Sequence, residues 1–238
     1  MPQRKTLALE NRRTLLNVSR LMKAEAVKVI AQGSGLGQQE LGGFLRTTIP
    51  AVIARYGNLN AVTAADYYDR VRAVSTKRAP AYKAIIPSFD AVAKSDTIVN
   101  YGMATFMSEG FDRLPDLLSI AMTTPVNSYN RDTLDQNAQL DTSAKTVQRI
   151  AEPNACAFCA LLAFSTTTTA EGKTIGTRTF SYAPDFHDNC HCTVEVIFEG
   201  QDPIVPDYYK DFSSEYADTG GGSTKDVLAQ IRANTGRR

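Results

Sequence analysis

Apolar residues recur at intervals of three and four through most of residues 1–150, the spacing of one buried face on a helix. In residues 3–31 they are Leu7, Leu15, Val18, Leu21, Met22, Ala26, Val29 and Ile30, with one wider gap. Gly33, Ser34, Gly35 and Gly37 break that helix, as a turn or hinge. The run has neither the Lys-Ser/Thr of a P-loop nor the preceding strand of a dinucleotide fold. A second helix is predicted over 38–56, disturbed at Gly42 and Gly43, kinked near Pro50 and ended by Gly57. A third, capped by Asn60 or Thr63, runs to residue 76 with Ala64, Tyr67, Tyr68, Val71 and Val74 on its apolar side. The paired tyrosines read as packing residues rather than as a stacking platform for bases.

Pro80 and Pro87 bracket a connection, and Ser88 is placed to cap a fourth helix over 89–108, with Asp90 in its first turn. Gly110 and Pro115 set up a short fifth helix to about Met122, which Pro125 stops. A sixth is predicted over 128–151, with Leu134, Ala138, Leu140, Ala144, Val147 and Ile150 as a rough stripe, ended before Pro153. Beyond Glu152 the pattern changes. A brief apolar helix is expected over 155–164, a loop or fringe strand over 165–170, and a strand over 177–182. Residues 193–198, Thr-Val-Glu-Val-Ile-Phe, form the best strand in the chain. An acidic, proline-containing segment over 200–206 reads as a linker, followed by a small helix over 206–216 and a joint at Gly220, Gly221 and Gly222. Ser223 and Asp226 then open a last helix in capping-box style.

The fold class expected is mainly α: an elongated helical N-terminal scaffold followed by a small α+β domain braced by cysteine and histidine. The domains expected are a scaffold over 1–125, a helix plus Cys/His domain over 126–200, and an acidic linker with a helical tail over 201–238.

Composition narrows this little. The 238 residues are 43% hydrophobic and 21% charged with a formal net charge of +1, ordinary for a folded protein and indifferent as to partner. No apolar run is long enough to span a membrane, and the basic, polar N-terminus lacks the apolar core of a signal peptide. Synthesis in a reducing cytoplasm is therefore expected, where thiols favour metal over disulfides. Charge is uneven along the chain. Arg4, Lys5, Arg12, Arg13, Arg20, Lys23 and Lys28 face only Glu10 and Glu25 in residues 1–30, whereas residues 199–218 are acidic. Solvated faces are the plain reading, and a basic arm that meets DNA or an acidic partner is the sharper one.

The candidate chemistry is gathered in one interval. All 4 cysteines and both histidines lie between Cys156 and Cys192: Cys156, Cys159, His187, Cys190, His191 and Cys192. Two ligand knuckles joined by a loop are the arrangement of a structural zinc site, with thiolates and imidazoles in a closed tetrahedron. The candidate metal ligands are Cys156, Cys159, His187, Cys190 and Cys192. The fourfold set is either Cys156, Cys159, His187 and one of Cys190 and Cys192, or all four cysteines with His187 nearby. One structural zinc ion is expected, supplying folding energy to a region with few large apolar residues. The competing readings are disulfides or free core thiols, and a cysteine nucleophile with a histidine base. The last lacks an orienting third group. Glu195 is the nominal general base for a catalytic zinc, but its place in a strand suits a solvated or paired acid better.

A helical chain that ends in Cys156-Ala157-Phe158-Cys159, an insert, and His187-Asp188-Asn189-Cys190-His191-Cys192 leading into a strand resembles the Mu F-like minor head proteins of tailed bacteriophages, the broad family of the SPP1 minor capsid protein. His191 stands where that family more often has Arg, and Asp188 where it often has Pro. The stretch from Leu41 through Tyr56-Gly57 to Tyr67-Tyr68 is similar to versions in phages of actinobacteria. The resemblance is specific over 125–200 and loose elsewhere. It implies a virion structural protein of few copies, associated with the portal vertex or capsid interior, made in the host cytoplasm and serving head assembly, DNA packaging or delivery. Portal or major capsid protein is the implied partner, with packaged DNA a further one through the basic first helix. No enzyme activity, small-molecule substrate or membrane is implied, and the chain is expected to be a stand-alone form without a fused protease or toxin domain. A zinc-containing nucleic-acid-binding module and a metallo- or cysteine hydrolase are the alternatives.

Overall fold

The computed structural model describes residues 2–76, 80–164, 167–168, 174–175, 190 and 192–237. Two long helices form its frame. α1 (Pro2–Ala31) and α2 (Gln38–Ser75) fold back on each other across the glycine-rich turn, so that Glu25 meets Arg55 and Tyr56 while Glu10 meets Arg70. The apolar stripe expected of α1 is buried at Leu7, Leu15, Val18, Met22, Ala26 and Ile30, whereas Leu21 faces solvent. Its wider gap is filled by Asn11, which is buried and accepts a hydrogen bond from Asn130.

α2 is one helix of 38 residues where two were expected. Pro50 lies inside it. An internal proline costs about 3 kcal/mol. Leu45, Ile49, Ile53 and Tyr56 are buried on both sides of Pro50, each contributing roughly 1.5–3 kcal/mol, so packing carries the helix through. Gly57 does not stop it either. A Cβ there would sit 2.8 Å from three ring atoms of Tyr129, so this glycine marks where the α2 backbone meets a buried aromatic ring.

α3 (Ala91–Glu109) lies along the first half of α2 and is capped by Asp90, not Ser88: the Asp90 carboxylate accepts from the Ala93 N–H at 3.0 Å. α4 (Leu114–Ala121) carries Pro115 as its second residue, in the first turn. α5 (Thr123–Leu140) starts before Pro125, which sits in the first turn, where a missing N–H is harmless. α5 packs between α1 and α2 and ends at Leu140, eleven residues short of its expected end.

The segment after it is a strand. β1 (Ala144–Ile150) pairs antiparallel with β4 (Thr193–Phe198), from Ala144 opposite Phe198 to Ile150 opposite Thr193. A three-four stripe and a two-residue alternation overlap over so short a run. What decides is Asp141, whose carboxylate takes hydrogen bonds from Arg72, Tyr68 and the Ser143 N–H and turns the chain out of the helix. Thr146, Gln148 and Ile150 then alternate into the interior. β2 (Thr167–Thr168) and β3 (Thr174–Ile175) form a minor hairpin, and the strand expected over 177–182 lies outside the described residues.

α6 (Ala157–Phe164), α7 (Tyr209–Ala217) and α8 (Thr224–Thr235) pack on one another at the end of this sheet. Within the segment expected as a linker, Ile204 is buried and bonds both ways with the Gln148 side chain, at 2.9 and 2.7 Å. Architecture and order are thus mainly α with a small α+β region, as expected from the sequence.

Candidate metal centre

The first pair of cysteines sits at the start of α6. The carbonyl of Cys156 accepts the first helical bond, from Ala160 N–H at 2.9 Å, so Cys156 holds the N-cap position. Its sulfur accepts from the Cys159 N–H at 3.4 Å, as a serine oxygen would in a conventional cap. Both residues therefore belong to the start of the helix, with Cys159 in its first turn.

The second pair leads into β4. Cys159, Cys190 and Cys192 are buried, and their sulfurs all lie within 4.8 Å of one another. Cys159 and Cys190 sulfurs are 3.6 Å apart. A disulfide requires about 2.05 Å, and none of the four cysteines is joined in one. Four ligands at a zinc–sulfur distance of about 2.3 Å on a tetrahedron place sulfurs about 3.8 Å apart, so the observed separation is that of one tetrahedral edge. Three buried sulfurs are thus positioned to hold a metal ion. Cys156 is half-buried on the same helical turn as Cys159, outside the set of three. His187 and His191 lie outside the described residues.

Electrostatics follow from this crowding. Hydrogen bonds from Cys159 and Cys192 hold the Cys190 sulfur well below the ordinary thiol range, with help from the charge of Arg131 and against the effect of burial. Bonding to the sulfurs of Cys156, Cys190 and Cys192, then burial, pushes Cys159 up. For Cys192 the bond with Cys159 pulls down, but its bond to Cys190, burial and the charge on Cys190 outweigh it and raise the thiol to about 12. Buried and crowded together, the three sulfurs resist ionising at once. A divalent cation at their centre would supply the charge that lets all three do so.

Side chains from α5, α1, α7 and the segment beyond α8 set this geometry. From α5, Arg131 donates to the carbonyls of Cys192 at 3.1 Å and Cys190 at 2.6 Å, and Asn127 donates to the Cys190 carbonyl at 3.3 Å. Ser19 of α1 in turn donates to Asn127 at 2.9 Å. From α7, Tyr209 and Phe212 pack on the cysteines, and the Tyr208 hydroxyl donates to the Ala151 carbonyl at 2.7 Å. Beyond α8, Arg237 donates to the Pro153 and Ala155 carbonyls, both at 2.9 Å, pairs with Glu215, and lies 4.7 Å over the Phe212 ring. The sequence pattern had passed over all of these. Arg131 was detectable: it falls three and seven positions before Leu134 and Ala138, on their buried stripe.

Residues 1–219 match a family of viral gene proteins described as VG15 protein. The chain belongs to the VG15 protein family. The match takes in both long helices, the cysteine cluster and α7. No curated protein and no solved structure matches the chain. No helix among the described residues is long and apolar enough to cross a membrane.

Glu195 has no part in this cluster. It is fully buried and accepts a hydrogen bond from the Tyr67 hydroxyl. Burial raises its pKa to about 7, against the opposing effects of Tyr67 and Arg4.

Proposed function

We propose that the chain is a structural minor capsid protein of a tailed phage, without enzyme activity, whose zinc-braced C-terminal region docks it to portal or major capsid protein in the head. Membership of the VG15 family over residues 1–219 carries this reading, and the resemblance of the cysteine motif to minor head proteins refines it. Zinc suits the chemistry of three thiolates with no redox partner among them. Cys159, Cys190 and Cys192 would hold it, with Cys156 or His187 as the fourth ligand. A bound ion would contribute folding energy where the local core is small.

A catalytic centre is disfavoured because the three sulfurs are buried and the nearest nominated base, Glu195, is bonded to Tyr67 inside the protein. Exposed apolar side chains, among them Leu21, Leu59 and Val62 on α1 and α2, offer docking surface on the frame. Contact with packaged DNA would fall to Lys5, Arg13, Arg20 and Lys28, which are exposed. Arg4 and Arg12 are engaged inside the molecule, with the Val196 and Asp202 carbonyls and with Glu152.

Quantitative mass spectrometry of purified virions tests this. The chain should be present in filled heads in far fewer copies than the major capsid protein, and should co-purify with the portal or capsid protein of the same phage. Its absence from virions overturns the assignment.

A further inference from the structure

A charged side chain with no exposure at all is the least expected feature near the cysteines. Arg131 is 0% exposed, deep in α5, and a buried cation is costly unless charge and hydrogen bonds compensate it. Its guanidinium is aimed at the ligand segment. Nη2 donates to the Cys190 carbonyl at 2.6 Å and Nε to the Cys192 carbonyl at 3.1 Å, two acceptors that a planar fork can span and an ammonium cannot. Tying these two carbonyls to one planar group fixes Cys190 and Cys192 relative to each other. Asn127, one helical turn earlier, holds the Cys190 carbonyl from the same side.

The charge of the site points the same way. Three thiolates around a divalent ion leave one excess negative charge when the fourth ligand is neutral, and two when it is Cys156. In a buried site that excess is itself costly. One guanidinium beside the ligands offsets it.

Resting on the metal reading above, we propose that Arg131 is a positioning residue and the counter-charge of the thiolate metal centre. It shapes Cys190 and Cys192 into the second ligand knuckle and makes the buried anionic site tolerable. It acts through the ligand backbone and does not itself bind the ion.

The test compares the full-length wild-type chain with Arg131→Met and Arg131→Lys. Zinc affinity is measured by chelator competition, the pH of half-release at fixed chelator, and Tm. Arg131→Met should weaken zinc 10–100-fold and move half-release to higher pH, because protons compete better for thiolates that have lost their counter-charge. Arg131→Lys should lose affinity several-fold because the fork is gone, and should move half-release up by less than Arg131→Met does, because the charge stays. A lower Tm with unchanged zinc affinity and unchanged half-release pH means that Arg131 only packs, and overturns the proposal. If Arg131→Met does not fold, Arg131→Lys decides alone, and wild-type affinity in it overturns the proposal. A wild-type chain that binds no zinc removes the metal reading and this inference together, a result distinct from variants that bind as the wild type does.

Discussion

Removing the Asp141 carboxylate should be among the most damaging single changes to the helical frame. Asp141 is 3% exposed and closes the junction of α2, α5 and β1. It accepts from Arg72 Nε at 2.6 Å, from the Tyr68 hydroxyl at 3.1 Å and from the Ser143 N–H at 3.0 Å. Asp141→Ala strands a largely buried guanidinium, and breaking such a pair from one side costs about 3–5 kcal/mol. With a urea slope of about 3 kcal/mol per molar for a chain of this size, the midpoint should fall by roughly 1–1.7 M. Arg72→Met with Asp141→Leu removes both charges and fills the space, and should recover most of the loss, as apolar replacement of a buried pair does. The contribution also depends on pH. Burial pushes the Asp141 carboxyl up, but hydrogen bonds from Arg72, Ser143 and Tyr68 outweigh it and hold it below the ordinary carboxylate value. Its stabilisation is therefore complete above that ordinary value and is lost as pH falls through the depressed one. Equilibrium urea titration of the single and double variants between pH 3 and 8 reads all of this. A single variant that loses under about 1 kcal/mol, the range of a solvated pair, or a double variant as unstable as the single, refutes the reasoning.

Gly57→Ala and Gly43→Ala should move stability in opposite directions. At Gly57 the added methyl meets the Tyr129 ring, itself stacked 4.0 Å from Phe89, and overpacking of about 1–3 kcal/mol exceeds the helix-propensity gain of roughly 1 kcal/mol. Gly43 is exposed with open space around it, so the propensity gain alone should raise Tm by thermal unfolding. Glu195→Gln should flatten the pH profile of stability. The raised pKa of about 7 means that folding opposes ionisation of Glu195, so wild-type stability falls between the ordinary carboxylate pKa and pH 7. The amide avoids that loss, which urea titrations at pH 5 and pH 8 will read as a gain of a few kcal/mol at the higher pH.

Much of the frame was legible in hydrophobic spacing, because α1, α3 and α4 bury one stripe against neighbours, and α1 and α3 stop beside glycine. The errors share a cause. Gly57, Pro50 and Pro125 were read by local conformational preference, whereas long-range packing decides at the first two and position in the first turn at the third. Ala144–Ile150 was misread because its helical stripe and its strand alternation coincide, and the pairing with Thr193–Phe198 that resolves them lies more than forty residues away. For the candidate metal centre, sequence spacing pointed to the cysteines, of which Cys159, Cys190 and Cys192 come together. It could not reveal the supports, because Arg131, Asn127, Tyr209 and Arg237 reach the site only through tertiary contacts, and polar side chains on a buried stripe look like interruptions of it.

The central claim is that Cys159, Cys190 and Cys192 hold a metal ion as a structural brace. Elemental analysis of the full-length protein purified under reducing conditions, with thiols counted before and after chelation, tests it most directly. The account requires about one zinc per chain and buried cysteines that react only once the ion is stripped. Metal-free protein with thiols that are freely reactive, or joined in disulfides, would contradict it.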